Sequence, residues 1–453
     1  MNKVSFNAGL LQFLQQSPTP FHAVQTMQAT LREAGFEILQ EEDTWHLKPG
    51  GRYLVQRNGS SIIAFTLGQG DPADAGFRMS GAHTDSPCLK LKPNAVMPAN
   101  PQTGGALQFA VEVYGGVLLA PWFDRDLSLA GRVEFRRSDG TLGSALLNWQ
   151  RPLATVPSLA IHLDREANSN RTINAQKDLP PVLALQSSAS EFDFSQWIIA
   201  ALHEQQGIRD VDSILAHELY FYDTQAPAMV GLNEDFIASA RLDNLLSCYV
   251  AQQALLASWQ GQEQRQGQEQ RQGQAGGFNL LVCNDHEEVG SNSACGAQGP
   301  FLRSVLARIS AQLSTGTAAE SVERMTRRSL FLSIDNAHGL HPNFADKHDN
   351  NHGPLLNQGP VIKVNANQRY ATNSRTTALF KSLCEQAQVP VQSFVVRSDM
   401  GCGSTIGPVT AAGLGVETID IGVPTYGMHS IRELAGSDDA WYLARVVARF
   451  YQS

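Results

Sequence analysis

Histidine and carboxylate side chains recur in five short segments of this 453-residue chain, placed where predicted strands end. Imidazole nitrogens together with Asp and Glu oxygens are ligands that suit Zn²⁺, Mn²⁺ or Co²⁺ rather than a thiolate-preferring metal. The ends of strands are also where α/β sheets place their sites. The five segments cover residues 81–87, 239–244, 283–291, 333–339 and 427–433.

The first two segments each allow a structural and a chemical interpretation. His83 follows a predicted apolar strand, and Asp85 could accept the ring N–H that His83 does not use for a metal, which fixes the tautomer and raises ligand basicity. The alternative for this segment is a surface turn. Asp243 and Asn244 open a predicted helix, where both residue types are favoured as caps. Taken alone, the second segment therefore indicates a helix cap.

The third segment carries two adjacent carboxylates, Glu287 and Glu288, shortly after the apolar run Phe278–Val282. Adjacent side chains on an extended segment point to opposite sides. One carboxylate could then bind a metal while the other faces a substrate and transfers protons. An exposed acidic turn is the alternative interpretation.

The last two segments add more imidazoles. Asp335 and His338 follow the apolar run Leu330–Ile334, and His429 lies on a loop after the predicted strand Glu417–Ile421. A lone loop histidine is more often structural, so His429 becomes a ligand candidate only in combination with the other segments. A further histidine-rich stretch follows, whose spacing matches no H-x₃-H helix and whose members are expected mostly near a site or at the surface: His341, His348 and His352.

Composition and missing motifs exclude several other classes of protein. With 43 acidic and 34 basic residues the net charge is −9, which disfavours nucleic acid and anionic membranes as partners. No stretch approaches the ~20 apolar residues of a membrane span, and the amino terminus lacks the pattern of a signal peptide. The six cysteines form no C-x-x-C pair, so we expect reduced thiols and a cytoplasmic protein. No G-x-S-x-G, P-loop or G-x-G-x-x-G motif is present.

The elements that must position these residues follow from hydrophobic patterning. Residues 20–34 are predicted to be helical, and residues 52–66 to form a hairpin that turns at Asn58-Gly59. Short β-rich runs dominate from about residue 94 to 164, and strands alternate with helices from about residue 232. This pattern predicts an α/β fold, with a mixed sheet covered by helices and an inserted β-rich domain.

The elements predicted after residue 190 can be given individually. The predicted strands are Asn279–Cys283, Leu330–Ile334, Val361–Val364, Val391–Val396 and Glu417–Ile421. The predicted helices are Phe192–Glu204, Leu242–Trp259, Phe301–Leu313, Asn373–Ala387 and Asp438–Tyr451.

One stretch differs from the rest in composition. The hexapeptide GQEQRQ occurs twice in tandem over residues 261–272, and apolar side chains are absent from it. We expect a flexible, exposed loop after the helix Leu242–Trp259, with a partner-binding tract as the alternative.

Taken together, the sequence resembles the aspartyl aminopeptidases, two-metal exopeptidases of the wider co-catalytic zinc aminopeptidase group. The matching stretches occur in the family's order and span nearly the whole chain: SGAHTDSPCLKLKP (80–93), PSLAIHLDR (157–165), SARLDNL (239–245), NDHEEVGS (284–291), SIDNAHGLHPN (333–343), GPVIKVNANQRYATN (359–373), GSTIGP (403–408) and GMHSIRE (427–433). The resemblance implies a metallopeptidase catalytic domain formed by residues 1–95 and 233–453. It also implies that residues 96–232 form an inserted β-rich oligomerisation domain.

The resemblance further implies the ligands of two divalent ions. His83 and Asp335 would bind one metal, with His429 completing or sharing that side. Asp243 would bridge both ions, and Glu288 would bind the second. Zinc is the expected metal, with manganese or cobalt as alternatives.

Catalytic and substrate-binding roles are implied in the same way. Glu287 would be the general base, and Asp85 would orient His83. His162 would contact substrate in a neighbouring subunit's site, with a metal-ligand role as the alternative. The remaining positions expected to contact substrate are His338, Lys363 and Tyr370.

Within the substrate positions, Lys363 is the candidate cation for an acidic side chain. The alternative interpretation is that Lys363 lies on an edge strand and extends its ammonium group into solvent.

The resemblance implies an aminopeptidase that releases N-terminal Asp or Glu from peptides with a free amino terminus. The expected assembly is a homo-oligomer, with the closed dodecamers of relatives as one form. Two other functions stay open. Another two-metal amidohydrolase or deacylase would act on blocked amino termini, and a catalytically silent shell protein would have lost metal ligands.

Overall fold

The computed structural model describes residues 2–98, 100, 102, 104–185, 192–266 and 277–453. The chain divides into two compact units. The first unit consists of Met1–Asp85, Pro227–Met428 and Glu433–Ser453, and the second of Ser86–Ala226 and His429–Arg432. Among the described residues, no helix combines the length and the apolar character needed to cross a bilayer.

The helices mostly begin at recognisable caps. Thr19 precedes the helix that starts at Pro20, and its hydroxyl accepts the backbone N–H of His22. Asn373 forms a reciprocal capping box with Thr376. The α-helices of the first unit are Lys3–Gln16, Pro20–Glu33, Pro72–Ala75, Leu242–Gln266, Phe301–Leu313, Ala318–Arg328, Ser374–Ala387, Ile406–Leu414 and Asp439–Tyr451; those of the second are Ala175–Asp178 and Phe194–Gln206.

The described residues form twenty strands in addition to these helices. In chain order they are β1 (Glu37–Leu39), β2 (Arg52–Arg57), β3 (Ser61–Thr66), β4 (Arg78–His83), β5 (Cys88–Val96), β6 (Leu107–Tyr114), β7 (Leu127–Arg137), β8 (Leu142–Asn148), β9 (Val182–Ala184), β10 (Val211–Asp223), β11 (Ala228–Val230), β12 (Phe236–Ser239), β13 (Asn279–Asn284), β14 (Leu330–Ile334), β15 (Ala337–His338), β16 (Val361–Lys363), β17 (Gln392–Phe394), β18 (Glu417–Gly422), β19 (Pro424–Tyr426) and β20 (Glu433–Gly436). Short 3₁₀ helices cover Ala120–Trp122, Glu287–Val289 and Ala345–Lys347.

The main sheet of the first unit has nine strands in the order β1-β2-β3-β13-β4-β14-β18-β16-β17. Its central strands β13, β4, β14 and β18 run parallel, while β3 and β16 pair antiparallel with this central group. All six residues of β13 are buried, as expected for a strand that is covered on both faces. Because parallel strands end at the same edge, residues that follow β4, β13 and β14 are brought together there.

A second, five-stranded sheet of the first unit has the order β11-β12-β20-β19-β15. Strand β12 ends at Ser239, opposite Glu433 at the start of β20. This pairing places the segment before Asp243 next to the segment that follows residue 432.

The second unit is built on a six-stranded antiparallel sheet in the order β8-β7-β10-β5-β6-β9. Its core includes Phe109, Phe135 and Phe221, and Trp149 stacks on Trp197 with ring centroids 4.3 Å apart. This unit therefore has the β-rich character that the sequence predicts for the middle of the chain.

The predicted α/β class is confirmed, and several elements agree closely with their predictions. In the hairpin, Arg57 pairs with Ser61, and both Asn58 and Gly59 adopt positive φ in the turn. The predicted helix Phe301–Leu313 and strand Leu330–Ile334 are found with the same bounds.

Other elements differ from the prediction. The helix that begins at Leu242 runs to Gln266, into the stretch expected to be a loop, because Gln, Glu and Arg are good helix formers. Residues 267–276 of that stretch lie outside the described residues. No prediction covered the five-stranded sheet, the short helices Pro72–Ala75 and Ala175–Asp178, or the longer helices Lys3–Gln16, Ala318–Arg328 and Ile406–Leu414.

The buried His22 leads to a prediction about acid stability. Its Nδ1 lies 2.8 Å from the Thr19 hydroxyl oxygen, and burial, with a smaller contribution from Arg241, lowers the pKa of His22 from 6.5 to about 4. Between these values the unfolded chain binds a proton at His22 that the folded chain does not, so stability falls as the pH falls through this window. From pH 7 to pH 4, we expect the wild type to lose about 3 kcal/mol more unfolding free energy than His22→Asn.

Urea unfolding at a series of pH values measures this difference. The exposed His46→Asn variant controls for removal of a histidine elsewhere. Equal pH slopes for the wild type and His22→Asn would contradict the prediction.

Candidate metal centre

His83, the last residue of β4, is 1% exposed and lies at the centre of the predicted site. Its Nδ1 is 3.3 Å from Asp85 Oδ1 and 3.1 Å from the Asp85 carbonyl oxygen. Its Nε2 lies 3.5 Å from Asp243 Oδ1 and 3.5 Å from Asp335 Oδ1. Asp85 thus orients the ring so that the other nitrogen faces two carboxylates, as the H-x-D spacing indicates.

Asp85 also holds the turn that carries the two glutamates. Its Oδ1 accepts the backbone N–H of Glu287 and its Oδ2 that of Glu288, each at 3.1 Å. Glu287 Oε2 lies 3.9 Å from His83 Nε2. One buried carboxylate therefore fixes both the imidazole and the glutamate turn.

The expectation that Glu287 and Glu288 occupy an extended segment is wrong. They lie in the 3₁₀ helix Glu287–Val289, because His286 adopts a left-handed φ of 65° directly after β13 and the Gly290 N–H closes the turn on the Glu287 carbonyl. Both carboxylates nevertheless reach the cluster around His83.

Asp243 is held by a long-range contact rather than by ordinary helix geometry. Its backbone N–H donates to Glu433 Oε2 at 2.9 Å, and its φ and ψ are non-helical, as are those of Asn244. The Asn244 side chain donates to Asp335 Oδ1 at 2.8 Å and to the Ile334 carbonyl at 3.1 Å.

Lys363 is 1% exposed and lies in β16, which β17 and β18 flank in the sheet. Its Nζ donates to Asp335 Oδ2 at 3.2 Å and to the Asn336 carbonyl at 3.1 Å, and lies 5.2 Å from the centroid of the Tyr370 ring. The alternative of a solvent-reaching edge lysine is therefore wrong.

The donor atoms that converge here fit a divalent cation. Ligand atoms of His83, Asp243 and Glu288 all lie within 4.8 Å of one another. One imidazole and several carboxylates form the mixed nitrogen and oxygen set that suits zinc, and Asp85 already occupies the other ring nitrogen, as in metal-binding histidines generally. These residues could therefore hold a zinc ion.

The pKa shifts of the side chains in this cluster also indicate that it favours bound positive charge. Burial alone lowers the pKa of His83, but hydrogen bonds to Asp243, Asp335 and Asp85 raise it well above its usual value. Burial raises the pKa of Glu287 to about 7, with Asp335 and Asp243 adding to the shift against the opposing effect of His83. Burial also opposes ionisation of Asp335, but Lys363 and His83 outweigh it and lower the pKa of Asp335.

The remaining predicted residues lie in different surroundings. Tyr370 is buried, while His338 is exposed and its ring contacts Phe394 edge-on with centroids 5.5 Å apart. His162 and His429 belong to the second unit, where His162 is exposed and His429 Nδ1 lies 3.0 Å from the Gly116 carbonyl oxygen.

In the histidine-rich stretch, His352 Nδ1 lies 2.6 Å from Asp349 Oδ1, and the backbone N–H of His341 donates to His348 Nε2 at 3.5 Å. These three histidines are half-buried, and the expectation that most of them lie near a site or at the surface stays a prediction.

Three residues support the site through contacts that were not predicted. Asn244 donates to the Asp335 carboxylate, and Glu433 accepts the backbone N–H of Asp243. The Cys248 thiol donates to the His83 carbonyl at 3.0 Å. Asn244 and Glu433 lie within the stretches SARLDNL and GMHSIRE, but a partner 190 residues away leaves no local pattern.

Gly422 allows the close backbone approach that positions Asp335. A Cβ at this position would lie 1.8 Å from the Asp335 carbonyl oxygen. We expect Gly422→Ala to lower the free energy of unfolding by about 3 kcal/mol and to weaken zinc binding, since the backbone that carries Asp335 must move. Urea unfolding and zinc titration measure the two effects.

Gly413→Ala is the matched control, because a Cβ there meets no atom within 4 Å and alanine favours the helix by up to about 1 kcal/mol. Wild-type stability and zinc affinity in Gly422→Ala would show that the close approach does not hold Asp335 in place.

Comparison with known proteins confirms the expected family. A family model described as "Aminopeptidase I zinc metalloprotease (M18)" matches residues 13–451. A curated protein of Ectopseudomonas mendocina (strain ymp), named "Probable M18 family aminopeptidase 2", is 56% identical over 98% of this chain and 97% of its own length.

Solved structures agree as well. The chain in "Cryo-EM structure of the Ape4 and Nbr1 complex" is 38% identical, with a TM-score of 0.91 over 99% of this chain and 86% of that one. The chain in "Structure of S. cerevesiae mApe1 dodecamer" is 26% identical, with a TM-score of 0.83 over 98% of this chain and 96% of that one. Since the family match covers nearly the whole sequence, this chain belongs to the M18 family of zinc metalloproteases and is an aminopeptidase.

Proposed function

We propose that this aminopeptidase works with two divalent metal ions, preferably zinc, and releases N-terminal Asp or Glu from peptides. The residues that would hold the ions are His83, Asp243, Glu288, Asp335 and His429. The observation that carries the proposal is the approach of His83 Nε2 to the Asp243 and Asp335 carboxylates at 3.5 Å each. A buried cluster with this much negative charge binds positive charge.

Glu287 and Asp85 have separate roles in the proposed reaction. When bound, the cations would activate a water molecule and polarise the scissile carbonyl. Glu287, held through its backbone by Asp85, accepts the proton of the attacking water and returns it to the leaving amine. Asp85 keeps the proton of His83 on Nδ1, so that Nε2 offers its lone pair to the metal.

We assign to Lys363 the preference of the enzyme for peptides with an acidic N-terminal residue. An ammonium group has three donors, and two of those of Lys363 have acceptors among the described residues, Asp335 and the Asn336 carbonyl. The third donor can bind the side-chain carboxylate of the substrate beside the Tyr370 ring, 5.2 Å from Nζ. The free α-amine of the substrate binds a metal or a nearby carboxylate, which restricts cleavage to the amino terminus.

The proposed assembly is a homo-oligomer. His162 lies in an exposed segment with three large apolar side chains, Leu159, Ile161 and Leu163, which are 59%, 46% and 75% exposed. Exposed apolar side chains in a cluster are typical of interaction sites. A second copy would cover them and receive His162 next to its substrate, where it and His338 could stabilise the developing oxyanion.

The dodecameric relative supports this assembly, and residues 96–232 are proposed as the domain that forms it.

We place the protein in the cytoplasm, consistent with six cysteines that are free thiols in the structure.

A panel of dipeptides tests the function as a whole. Each dipeptide is supplied with a free and with an acetylated amino terminus, with and without chelator. We expect chelator-sensitive release of N-terminal Asp and Glu. Preferential cleavage of acetylated substrates would identify a deacylase, and inactivity of metal-loaded protein on every substrate would identify a silent shell protein.

The role of Glu287 leads to the first mutational prediction. We expect Glu287→Gln to keep the metal content of the wild type and to lower kcat by about 10²–10⁴, because the amide cannot accept the proton of water. Metal analysis and steady-state kinetics on the same preparation measure both quantities. The exposed Glu320→Gln is the control, and wild-type turnover in Glu287→Gln would remove this residue from the role of base.

The role of Lys363 leads to a prediction about specificity. We expect Lys363→Ala to reduce the ratio of kcat/KM for N-terminal Asp over N-terminal Ala by about 10–100-fold, as expected for loss of a charged hydrogen bond. Because Lys363 also pairs with Asp335, metal content must be measured in the same samples. Lys347→Ala, at an exposed lysine, is the control. An unchanged ratio in fully metal-loaded Lys363→Ala would place the acidic pocket elsewhere.

A further inference from the structure

A second group of potential metal ligands lies directly after β13: Asp285, His286 and Cys295, with Ser293 beside them. Ligand atoms of the first three lie within 4.8 Å of one another, and this group shares no residue with the group of His83, Asp243 and Glu288. The proposed function gives these residues no task, apart from the place of Asp285 and His286 before the glutamate turn.

The distance between Cys295 Sγ and His286 Nδ1 matches the distance between two ligands of a tetrahedral metal site. Cys295 Sγ lies 3.5 Å from His286 Nδ1. A zinc ion about 2.3 Å from a thiolate and about 2.0 Å from an imidazole nitrogen holds these two atoms about 3.5 Å apart. The Ser293 hydroxyl oxygen lies 2.8 Å from His286 Nδ1 and 3.6 Å from Cys295 Sγ, so it also borders the same space.

The backbone around the group is fixed before any ligand binds. The Cys295 carbonyl accepts hydrogen bonds from Ser61 Oγ at 3.0 Å and Asn284 Nδ2 at 2.9 Å, which tie it to β3 and β13. The Asp285 N–H donates to Ser61 Oγ at 2.8 Å, so both ends of the loop are anchored on one side chain. Because the loop is already ordered, binding of an ion costs it little conformational entropy.

Asp285 is the third candidate ligand, and the more exposed His286 marks where a cation could enter. The Asp285 side chain is 6% exposed, and one of its oxygens lies within 4.8 Å of the ligand atoms that His286 and Cys295 offer, whereas the His286 side chain is 26% exposed. A cation can therefore arrive past the imidazole edge, while the thiol and the carboxylate stay shielded from water.

The geometry points to a further metal site, at which Asp285, His286 and Cys295 bind one thiophilic divalent cation such as Zn²⁺ or Co²⁺. Binding releases the proton of the Cys295 thiol to solvent and forms a metal–sulfur bond. The site differs in chemistry from the candidate metal centre, which is built from imidazole and carboxylate groups and contains no sulfur ligand. It does not depend on the proposed two-metal mechanism.

Cobalt spectroscopy on the full-length protein tests this site independently of activity. Chelator-treated protein is titrated with Co²⁺ while the near-ultraviolet absorption and the bound cobalt are measured. A sulfur-to-cobalt charge-transfer band reports a thiolate ligand, and imidazole and carboxylate ligands do not produce it. The variants are Cys295→Ser and, as the matched control, Cys88→Ser at a half-buried cysteine of the second unit.

We expect the band in the wild type and in Cys88→Ser, and about one equivalent of cobalt less in Cys295→Ser, which should lack the band. A wild type without the band at saturating cobalt would overturn the proposal, even if Cys295→Ser failed to fold. A band that persists in folded Cys295→Ser would overturn it as well. Peptidase activity without the band would reject only this site, whereas the band without activity would reject only the proposed function.

Discussion

Several carboxylates surround one buried imidazole, and neighbouring parts of the first unit hold them in place. Carboxylates of Asp85, Asp243, Glu287 and Asp335 each lie within 3.9 Å of a ring nitrogen of His83. Like charges this close in a buried site repel strongly, and the ammonium group of Lys363 compensates only one of them. Such a cluster is stable when it holds further positive charge, which is the physical basis of a metal centre.

The main sheet supplies the geometry that makes this cluster possible. Strands β4, β13 and β14 run parallel, so that His83, the glutamate turn and Asp335 emerge at one edge. Gly422 lets β18 approach the backbone at Asp335, and Glu433 of the five-stranded sheet holds the backbone of Asp243. The positions of the proposed ligands thus depend on both of these sheets of the first unit, which explains why segments distant in the sequence carry them.

Local patterns were sufficient to predict the strand ends and the relation between His83 and Asp85. They failed at the glutamate turn, because a left-handed residue such as His286 cannot be recognised from residue type alone. They also failed for the contacts of Lys363, because the burial of β16 and the position of Asp335 depend on the order of strands in the sheet. Strands of two to four residues, as in the five-stranded sheet, are too short to show an alternating pattern.

Anomalous diffraction at the zinc absorption edge, from crystals of the active zinc-loaded protein, tests the central claim most directly. We expect two peaks at the carboxyl ends of β4 and β14, in addition to any ion bound by Asp285, His286 and Cys295. One should lie about 2.0–2.2 Å from His83 Nε2, with an Asp243 oxygen next to both. Active crystals in which no peak contacts His83 or Asp243 would contradict the account.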